Sequence, residues 1–361
     1  MTEAAETLGT VRRLWQAVAD GDERRAAATV HDALAGGVDE ETLLLQVIAP
    51  VQEKVGREWA ADRISVAQEH AATAINERVI ASLAHRPGAR LRTADRGRVT
   101  VSCVDGEWHA LPARLVAEVL SLRGWRVDYL GAQTPTPHLI THLHLTDPDA
   151  VLLSASIPTH LPTAHAAITA CQSIGVPVLA GGRAFGPDGR YAIALKADRW
   201  AADARAAAAA LDGGIPRPDA SAIRHAVDDL PHLADQEYTL VARSRPQLVR
   251  QALADLEHRF PAMRAYSGAQ HERTAEDIAH VVDFLATALY VDDPELFTAF
   301  VTWTAGILTV RGVPAHALPA ALDALADRLH DFPRAVKLLE HGVNALNEHP
   351  TCPVPGPGIH A

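Results

Sequence analysis

The stretch Val99–His109, VTVSCVDGEWH, limits the possible folds of this chain more than any other. Val99–Val104 is a largely β-branched apolar run of strand length, and Asp105–Gly106 ends it with a turn. Beyond the turn, apolar residues recur at intervals of three and four, which indicates a helix. The order strand, turn, helix places Glu107 and His109 at the carboxyl edge of an α/β sheet, where such sheets bind ligands.

Composition sets the frame for this sheet. A length of 361 residues predicts two or three domains, and 48% hydrophobic with 21% charged residues predicts an ordinary folded core. The net charge of −11 argues against a general nucleic-acid surface, so no direct DNA binding is expected. Three scattered cysteines offer neither a disulfide framework nor a paired metal spacing. Without a leader or an apolar run of membrane-span length, we expect a cytoplasmic protein with no membrane contact.

Residues 1–88 carry the pattern of a four-helix bundle. Apolar residues at helical spacing and turn signals between them define the four segments. The helices are predicted around Leu8–Val18, over Asp22–Leu34, over Leu43–Trp59 with a kink or fresh start at Pro50, and over Val66–Leu83 after a Ser65–Gln68 capping box.

Residues 99–213 alternate between strand and helix patterns, which predicts a Rossmann-like, doubly wound parallel sheet. Strands are predicted at Val99–Val104, Val127–Leu130, Ala150–Ser154 and Val176–Ala180, and a last helix at Ala201–Leu211. No GxGxxG motif follows the first strand, so a nicotinamide cofactor is not expected.

Residues 233–349 return to helical periodicity without a competing strand signal, which predicts an all-α domain of globin-like size, followed by a disordered tail over 350–361. Thr274 and Asp277 give a weak cap signature for the third of its helices. On that helix His280 and Phe284 lie opposite the main apolar face, which indicates a central buried helix or contact with a ligand. The helices are predicted near Gln236–Val249, Ala252–Phe260, Thr274–Tyr290, Pro294–Arg311, Leu318–Phe332 and Arg334–Leu346.

Three signals follow one another along the predicted sheet: Glu107-x-His109, then Ser154, then Gly181–Gly182. Their order and spacing resemble the cobalamin-binding domain of methionine synthase and its relatives, which carries Asp-x-His-x-x-Gly, Ser-x-Leu and Gly-Gly. The Glu-x-His version resembles that of light-sensing cobalamin-dependent transcription regulators.

The resemblance implies a role for each of these residues. His109 would displace the cofactor's own dimethylbenzimidazole base and coordinate cobalt from below, with Glu107 accepting its other ring N–H. Ser154 would donate a hydrogen bond to the nucleotide tail, and Gly181–Gly182 would allow its close approach to the backbone. The alternative for His109 is an ordinary loop histidine.

A second signature lies in the bundle, where Trp59 is followed after nine residues by Glu69–His70. It resembles the Trp-x9-Glu-His motif of the same light-sensing regulators. The resemblance implies that Trp59, Val66, Glu69 and His70 surround the adenosyl group of adenosylcobalamin on the upper face of the corrin. His70 would then ligate cobalt after the adenosyl group leaves. The alternative is a core tryptophan with a solvated Glu-His pair at a helix start.

The domain order resembles the photocobilins, bacterial photoreceptors that join a cobalamin module to a globin-like bilin-binding domain. The resemblance implies a light-sensing signalling protein in which photolysis of the cobalt–carbon bond rearranges domains, a homo-oligomer or a contact with a downstream signalling protein. It also implies a bilin such as biliverdin. A covalent thioether needs a thiol, and the only cysteine beyond residue 233 is Cys352 in the predicted disordered tail, so noncovalent binding is expected. His271, Arg273, His280 and Tyr290 are the candidate bilin contacts.

Two other functions stay open. A corrinoid carrier for methyl transfer also combines a helical cap with a cobalt-ligating histidine, and it needs a partner methyltransferase. A regulatory scaffold with a decayed cobalamin pocket is the third, because Pro112 and Ser156 depart from the motif. The chain has no Ser/His/Asp order, paired zinc spacing or phosphate loop, so we do not expect an enzyme.

Overall fold

The computed structural model describes residues 3–85, 95–218, 235–314 and 316–348. The chain divides into two compact units: the described residues up to 156 with 163–218, and residues 157–162 with the described residues from 235 onward. Residues 86–94, between the two predicted N-terminal domains, and all of the predicted tail over 350–361 lie outside the described residues. Within the described ranges, no helix has both the length and the apolar character needed to cross a membrane.

The predicted four-helix bundle is confirmed. A helical turn at Glu40–Thr42 and a π-helix at Leu43–Ile48 run directly into the third main helix, so Pro50 causes no fresh start. The π-helix closes with the amide of Ala49 bonded to Leu44 O, and Pro50 has no N–H to extend that series, so α-helical spacing resumes. The main helices are α1 (Glu3–Ala19), α2 (Glu23–Ala35), α3 (Ala49–Ala60) and α4 (Val66–Ala84).

The predicted parallel sheet is also confirmed, with the strand order β2-β1-β3-β4-β5. The sequence prediction missed its last strand, because that strand has three residues and begins with Arg199 and Trp200 rather than with an apolar run. The strands are β1 (Arg98–Cys103), β2 (Arg126–Gly131), β3 (Ala150–Ser154), β4 (Val178–Gly181) and β5 (Arg199–Ala201). The intervening helices are α5 (Ala110–Leu122), α6 (Thr136–Thr146), α7 (Leu161–Ser173), α8 (Arg190–Ala194) and α9 (Ala204–Asp212).

Helix α5 packs on the bundle with one side and on the strands with the other, where Ala113, Ala117 and Leu120 lie in the cluster of the strands. Leu111, Leu115 and Val119 of α5 are buried in the same cluster as the apolar residues of α1–α4. At the edge of this contact the carboxylate of Glu41 accepts hydrogen bonds from Arg123 and Arg205, with N–O distances of 2.8–3.0 Å. The helix that follows the predicted cobalt ligand therefore belongs to both layers.

The described C-terminal unit is helical. The predicted break between Val249 and Ala252 is wrong, because that stretch holds neither glycine nor proline and the helix runs through it. The predicted start at Thr274 is also wrong, because a capping box of Ser267 and Gln270 begins that helix earlier. The helices are α10 (Glu237–Arg259), α11 (Gly268–Val291), α12 (Pro294–Val310), α13 (Ala317–Arg328) and α14 (Pro333–Glu348).

Two helical glycines of this unit give opposite expectations for stability. A Cβ on Gly342 of α14 would lie 2.9 Å from Cε1 of Phe297, so Gly342→Ala should lower the free energy of unfolding by about 1–3 kcal/mol. A Cβ on Gly306 of α12 meets nothing within 4 Å, so Gly306→Ala should raise it by up to about 1 kcal/mol. Urea unfolding followed by circular dichroism measures both, and equal effects of the two variants would contradict this packing.

Candidate functional site

The three sequence signals meet at the carboxyl edge of the sheet. Cys103, the last residue of β1, pairs with Ser154 of β3, and Ser154 pairs with Gly181 of β4. Because the strands are parallel, the loops that follow them leave the sheet side by side. The loop with His109, the loop after Ser154 and the Gly-Gly loop therefore form one site.

The carboxylate of Glu107 joins two of these loops. Glu107 is fully buried, and its Oε1 accepts hydrogen bonds from the backbone N of His109 at 2.8 Å and from Nδ1 of the same residue at 2.5 Å. Its Oε2 accepts a bond from the backbone N of Ser156, in the loop after β3, at 2.6 Å. The Glu107 side chain thus fixes both the orientation of the His109 ring and the distance between the loops.

The electrostatics of Glu107 decide which nitrogen of His109 carries the proton. Burial raises the pKa of Glu107, but the hydrogen bonds from His109 and Ser156 and the nearby imidazole charge outweigh burial and lower it to about 2. An ionised carboxylate only accepts hydrogen bonds, so Nδ1 of His109 must carry a proton, and in a neutral imidazole the lone pair is then on Nε2.

The Nε2 atom of His109 is buried and has no hydrogen-bond partner among the described residues. Leaving a buried polar atom without a partner costs about 1–3 kcal/mol, so such atoms in a folded protein call for an explanation. A neutral imidazole with one nitrogen held by a carboxylate and the other free has the form of a metal-ligating histidine.

The Gly-Gly loop supplies a close backbone contact. Gly182 has a φ of +99°, and a Cβ on it would lie 2.2 Å from the carbonyl oxygen of Ala155. The Ala155 carbonyl also accepts a hydrogen bond from the Ala184 amide at 3.1 Å, which holds the two loops together. Only glycine satisfies both the backbone angle and the approach.

The two departures from the motif leave this arrangement intact. Ser156 contributes its backbone amide to Glu107, so the side chain at that position is not needed for the contact. Pro112 lies in the first turn of α5, where backbone amides have no partner within the helix. Neither residue therefore supports the hypothesis of a decayed pocket.

The predicted residues of the bundle are only partly brought together. Trp59 and Glu69 are buried, at the end of α3 and in the first turn of α4, while His70 and Val66 are exposed. Oε2 of Glu69 lies 2.9 Å from Nδ1 of His70, and Thr73 donates a hydrogen bond to Oε1 of Glu69 at 2.8 Å. Glu69 is thus a buried carboxylate, which contradicts the interpretation of a solvated Glu-His pair.

The bundle borders the site at the Gly-Gly loop. Nη2 of Arg183, the residue after Gly182, donates a hydrogen bond to Oε1 of Glu53 on α3 at 3.2 Å. This contact places α3 beside the carboxyl end of β4, so the helical bundle lies next to the three loops.

The four candidate bilin residues do not form one site. His271 and Arg273 lie near the start of α11 and Tyr290 near its end, about 25 Å away at 1.5 Å per residue. His280 is exposed, whereas the neighbouring Phe284 is buried and stacks on Phe300 with ring centroids 3.8 Å apart. The second apolar side of this helix is therefore explained by packing.

Sequence reasoning missed the groups that act through the backbone. The amide of Ser156 and the carbonyl of Ala155 complete the site, and the Gln133 amide donates to the Glu107 carbonyl at 3.0 Å. Any residue except proline supplies an amide, so residue type carries no signal for these contacts.

Comparison with known proteins agrees with this geometry. Residues 10–84 and residues 97–212 each match a family model described as a B12 binding domain. The trimethylamine corrinoid protein of Methanosarcina barkeri is 24% identical over 145 residues, which are 40% of this chain and 67% of that protein. Trimethylamine corrinoid protein 1 of Methanosarcina acetivorans is 25% identical over 146 residues, again 40% of this chain and 67% of the relative.

Among solved structures, the monomethylamine corrinoid protein of Methanosarcina barkeri aligns with 54% of this chain and 93% of its own length, at 19% identity and a TM-score of 0.47. The bundle and the sheet of this chain are therefore B12-binding domains, a helical cap and a Rossmann-like domain, homologous to those of corrinoid proteins. The buried Nε2 of His109, which has no partner among the described residues, fits the cobalt of a corrinoid.

Proposed function

We propose that this chain is a corrinoid carrier that receives and delivers methyl groups together with a partner methyltransferase. The observation that carries the proposal is the buried, unpartnered Nε2 of His109, whose ring is held by Glu107 at the edge of a B12-binding sheet. The relatedness to trimethylamine corrinoid proteins favours this class over a light sensor. We infer that the chain is not itself an enzyme but a substrate of its partner.

Each group of the site has a defined task in this proposal. His109 would hold cobalt through Nε2, and Glu107 keeps the proton on Nδ1 so that Nε2 stays a ligand. Gly182 lets the Gly-Gly loop pack against the Ala155 carbonyl, and the nucleotide tail would pass beside these joined loops. When bound, a corrinoid supplies a cobalt atom that accepts and releases a methyl group. The cap borders the site through the hydrogen bond of Arg183 to Glu53.

A carrier must leave its cobalt accessible to small methyl donors, which can be measured. The protein is loaded with hydroxocobalamin, reduced with titanium(III) citrate and mixed with methyl iodide, and the absorption spectrum is followed against free cobalamin. We expect methylation within about tenfold of the free rate, with the corrinoid still bound after gel filtration. A rate at least a hundredfold slower, or release of the corrinoid, would contradict the carrier.

Light sensing is the second candidate, and the Glu69–His70 pair favours it, because the Nδ1 contact leaves the other nitrogen of an exposed imidazole available. It requires adenosylcobalamin as the bound form and a globin-like, bilin-binding C-terminal unit, and these stay predictions. Sedimentation of the adenosylcobalamin-loaded protein in darkness and after green light distinguishes the candidates. A change of mass or shape in light would favour the sensor, and an unchanged profile the carrier.

A further inference from the structure

Trp108 stands out at the site because its side chain is exposed. It is 74% exposed, while Glu107 before it is fully buried and the His109 side chain after it is 20% exposed. The other tryptophans in the described ranges are buried or half-buried. Single exposed apolar side chains are common on protein surfaces, and what distinguishes this one is its place between two residues of the candidate site.

The backbone on both sides of Trp108 is fixed. The Glu107 amide donates to the Val104 carbonyl at 3.0 Å, and the Glu107 carbonyl accepts from the Gln133 amide at 3.0 Å. The carbonyl of Trp108 itself accepts from the Ala110 amide at 2.8 Å. The indole therefore projects from a rigid support, so little ordering of the loop has to accompany a contact made by this side chain.

Trp108 precedes the predicted cobalt ligand His109, so a corrin held by His109 would lie close to the indole. Consecutive Cα atoms are 3.8 Å apart, and the corrin macrocycle extends farther than that in every direction from its central cobalt. The side chain of the residue before the ligand is thus within reach of the ring, and an indole offers a flat apolar surface of matching shape.

We propose that the indole of Trp108 packs against the corrin ring of the cofactor held by His109 and positions it. Trp108 is then a positioning residue that contributes affinity for the ring and not for the nucleotide tail. The inference rests on the corrinoid site of the proposed function and is independent of methyl transfer. Glu107 and His109 on both sides already serve the cofactor, which favours a corrin over a protein partner as the group that covers Trp108.

The test compares Trp108→Ala, Trp108→Phe and the control Leu145→Ala, which removes an 81% exposed apolar side chain from α6. Each protein is titrated with hydroxocobalamin and with cobinamide, which has the ring but no nucleotide tail. Quenching of the remaining tryptophans reports binding. We expect Trp108→Ala to raise the Kd of both corrinoids about tenfold, Trp108→Phe to raise it less than about threefold, and Leu145→Ala to leave it unchanged.

Unchanged affinity of Trp108→Ala for both corrinoids would overturn the proposal and leave the indole to a protein partner. Weaker binding of hydroxocobalamin alone would also overturn it, since it would assign Trp108 to the tail. Neither result contradicts the proposed function, provided that the parent protein binds corrinoid through His109. Thermal unfolding of the cofactor-free variants should match that of the parent, because the side chain is exposed.

Discussion

The replacement His109→Ala is expected to weaken corrinoid binding by about a hundredfold or more and to change the spectrum of any cofactor that remains bound. Loss of a group that merely orients a metal ligand costs about 10–100-fold, and His109 is itself the predicted ligand. In the parent, the cofactor's own base should be displaced from cobalt. In the variant, that base is free to return, and the absorption spectrum separates the two states.

His138→Ala is the matched control, because His138 is an exposed histidine of α6 in the same compact unit. It should bind and absorb like the parent. A parent-like spectrum in His109→Ala would instead remove His109 from the lower face of the corrin.

Glu107→Gln refines this prediction without removing the imidazole. Three N–H groups, two from His109 and one from Ser156, point at the two oxygens of Glu107. An amide has one oxygen, so at least one backbone N–H must face the NH2 group, and if that group faces His109 the ring must also give up its Nδ1 proton. We expect an affinity between those of the parent and His109→Ala, and equal affinities of Glu107→Gln and the parent would show that the carboxylate does not hold the tautomer.

The second large effect is expected at Gly182. Gly182→Ala forces a Cβ into contact with the Ala155 carbonyl oxygen, at 2.2 Å, and into a φ of +99°. Neither atom belongs to a flexible side chain, so we expect a loss of about 3 kcal/mol or more in the free energy of unfolding and loss of cobalamin binding.

Gly181→Ala is the control next to it, because its Cβ would lie 3.4 Å from the Ala201 carbonyl oxygen, an ordinary contact, and its φ lies outside the left-handed region. Denaturant unfolding and cobalamin titration of the two variants test the pair. Similar losses in both would mean that the loop, and not the single approach at Gly182, limits the site.

The periodicity of the sequence predicted most of the fold of the first unit. The alternation of strands and helices placed Glu107, Ser154 and Gly181 at one edge, and the strand register confirms this. The prediction failed where a segment was too short or too polar to give a periodic signal, as in β5 with Arg199 and Trp200.

The sequence predicted the side chains of the candidate site but not the backbone groups that complete it. Glu107 and His109 are recognisable because Ser154 and Gly181–Gly182 follow them at the spacing of the cobalamin-binding motif. The Ser156 amide and the Ala155 carbonyl are backbone groups that other residue types would also supply. Only the structure shows that they contact Glu107 and Gly182. In the same way, the helical pattern of α11 did not distinguish a ligand from the ring of Phe300, which packs against Phe284.

The sharing of α5 between bundle and sheet has a consequence for how this architecture can evolve or be redesigned. The boundary between the two B12-binding segments falls in the chain between residues 84 and 97, but the hydrophobic core has no boundary there, since Leu111, Leu115 and Val119 belong to the bundle's cluster. A recombination that exchanges only the cap would leave these residues facing a foreign surface. The other side of α5, with Ala113, Ala117 and Leu120, belongs to the cluster of the strands, so α5 cannot be exchanged with the cap alone. The inheritable module is therefore the cap together with the sheet domain, joined by the helix that begins one residue after His109.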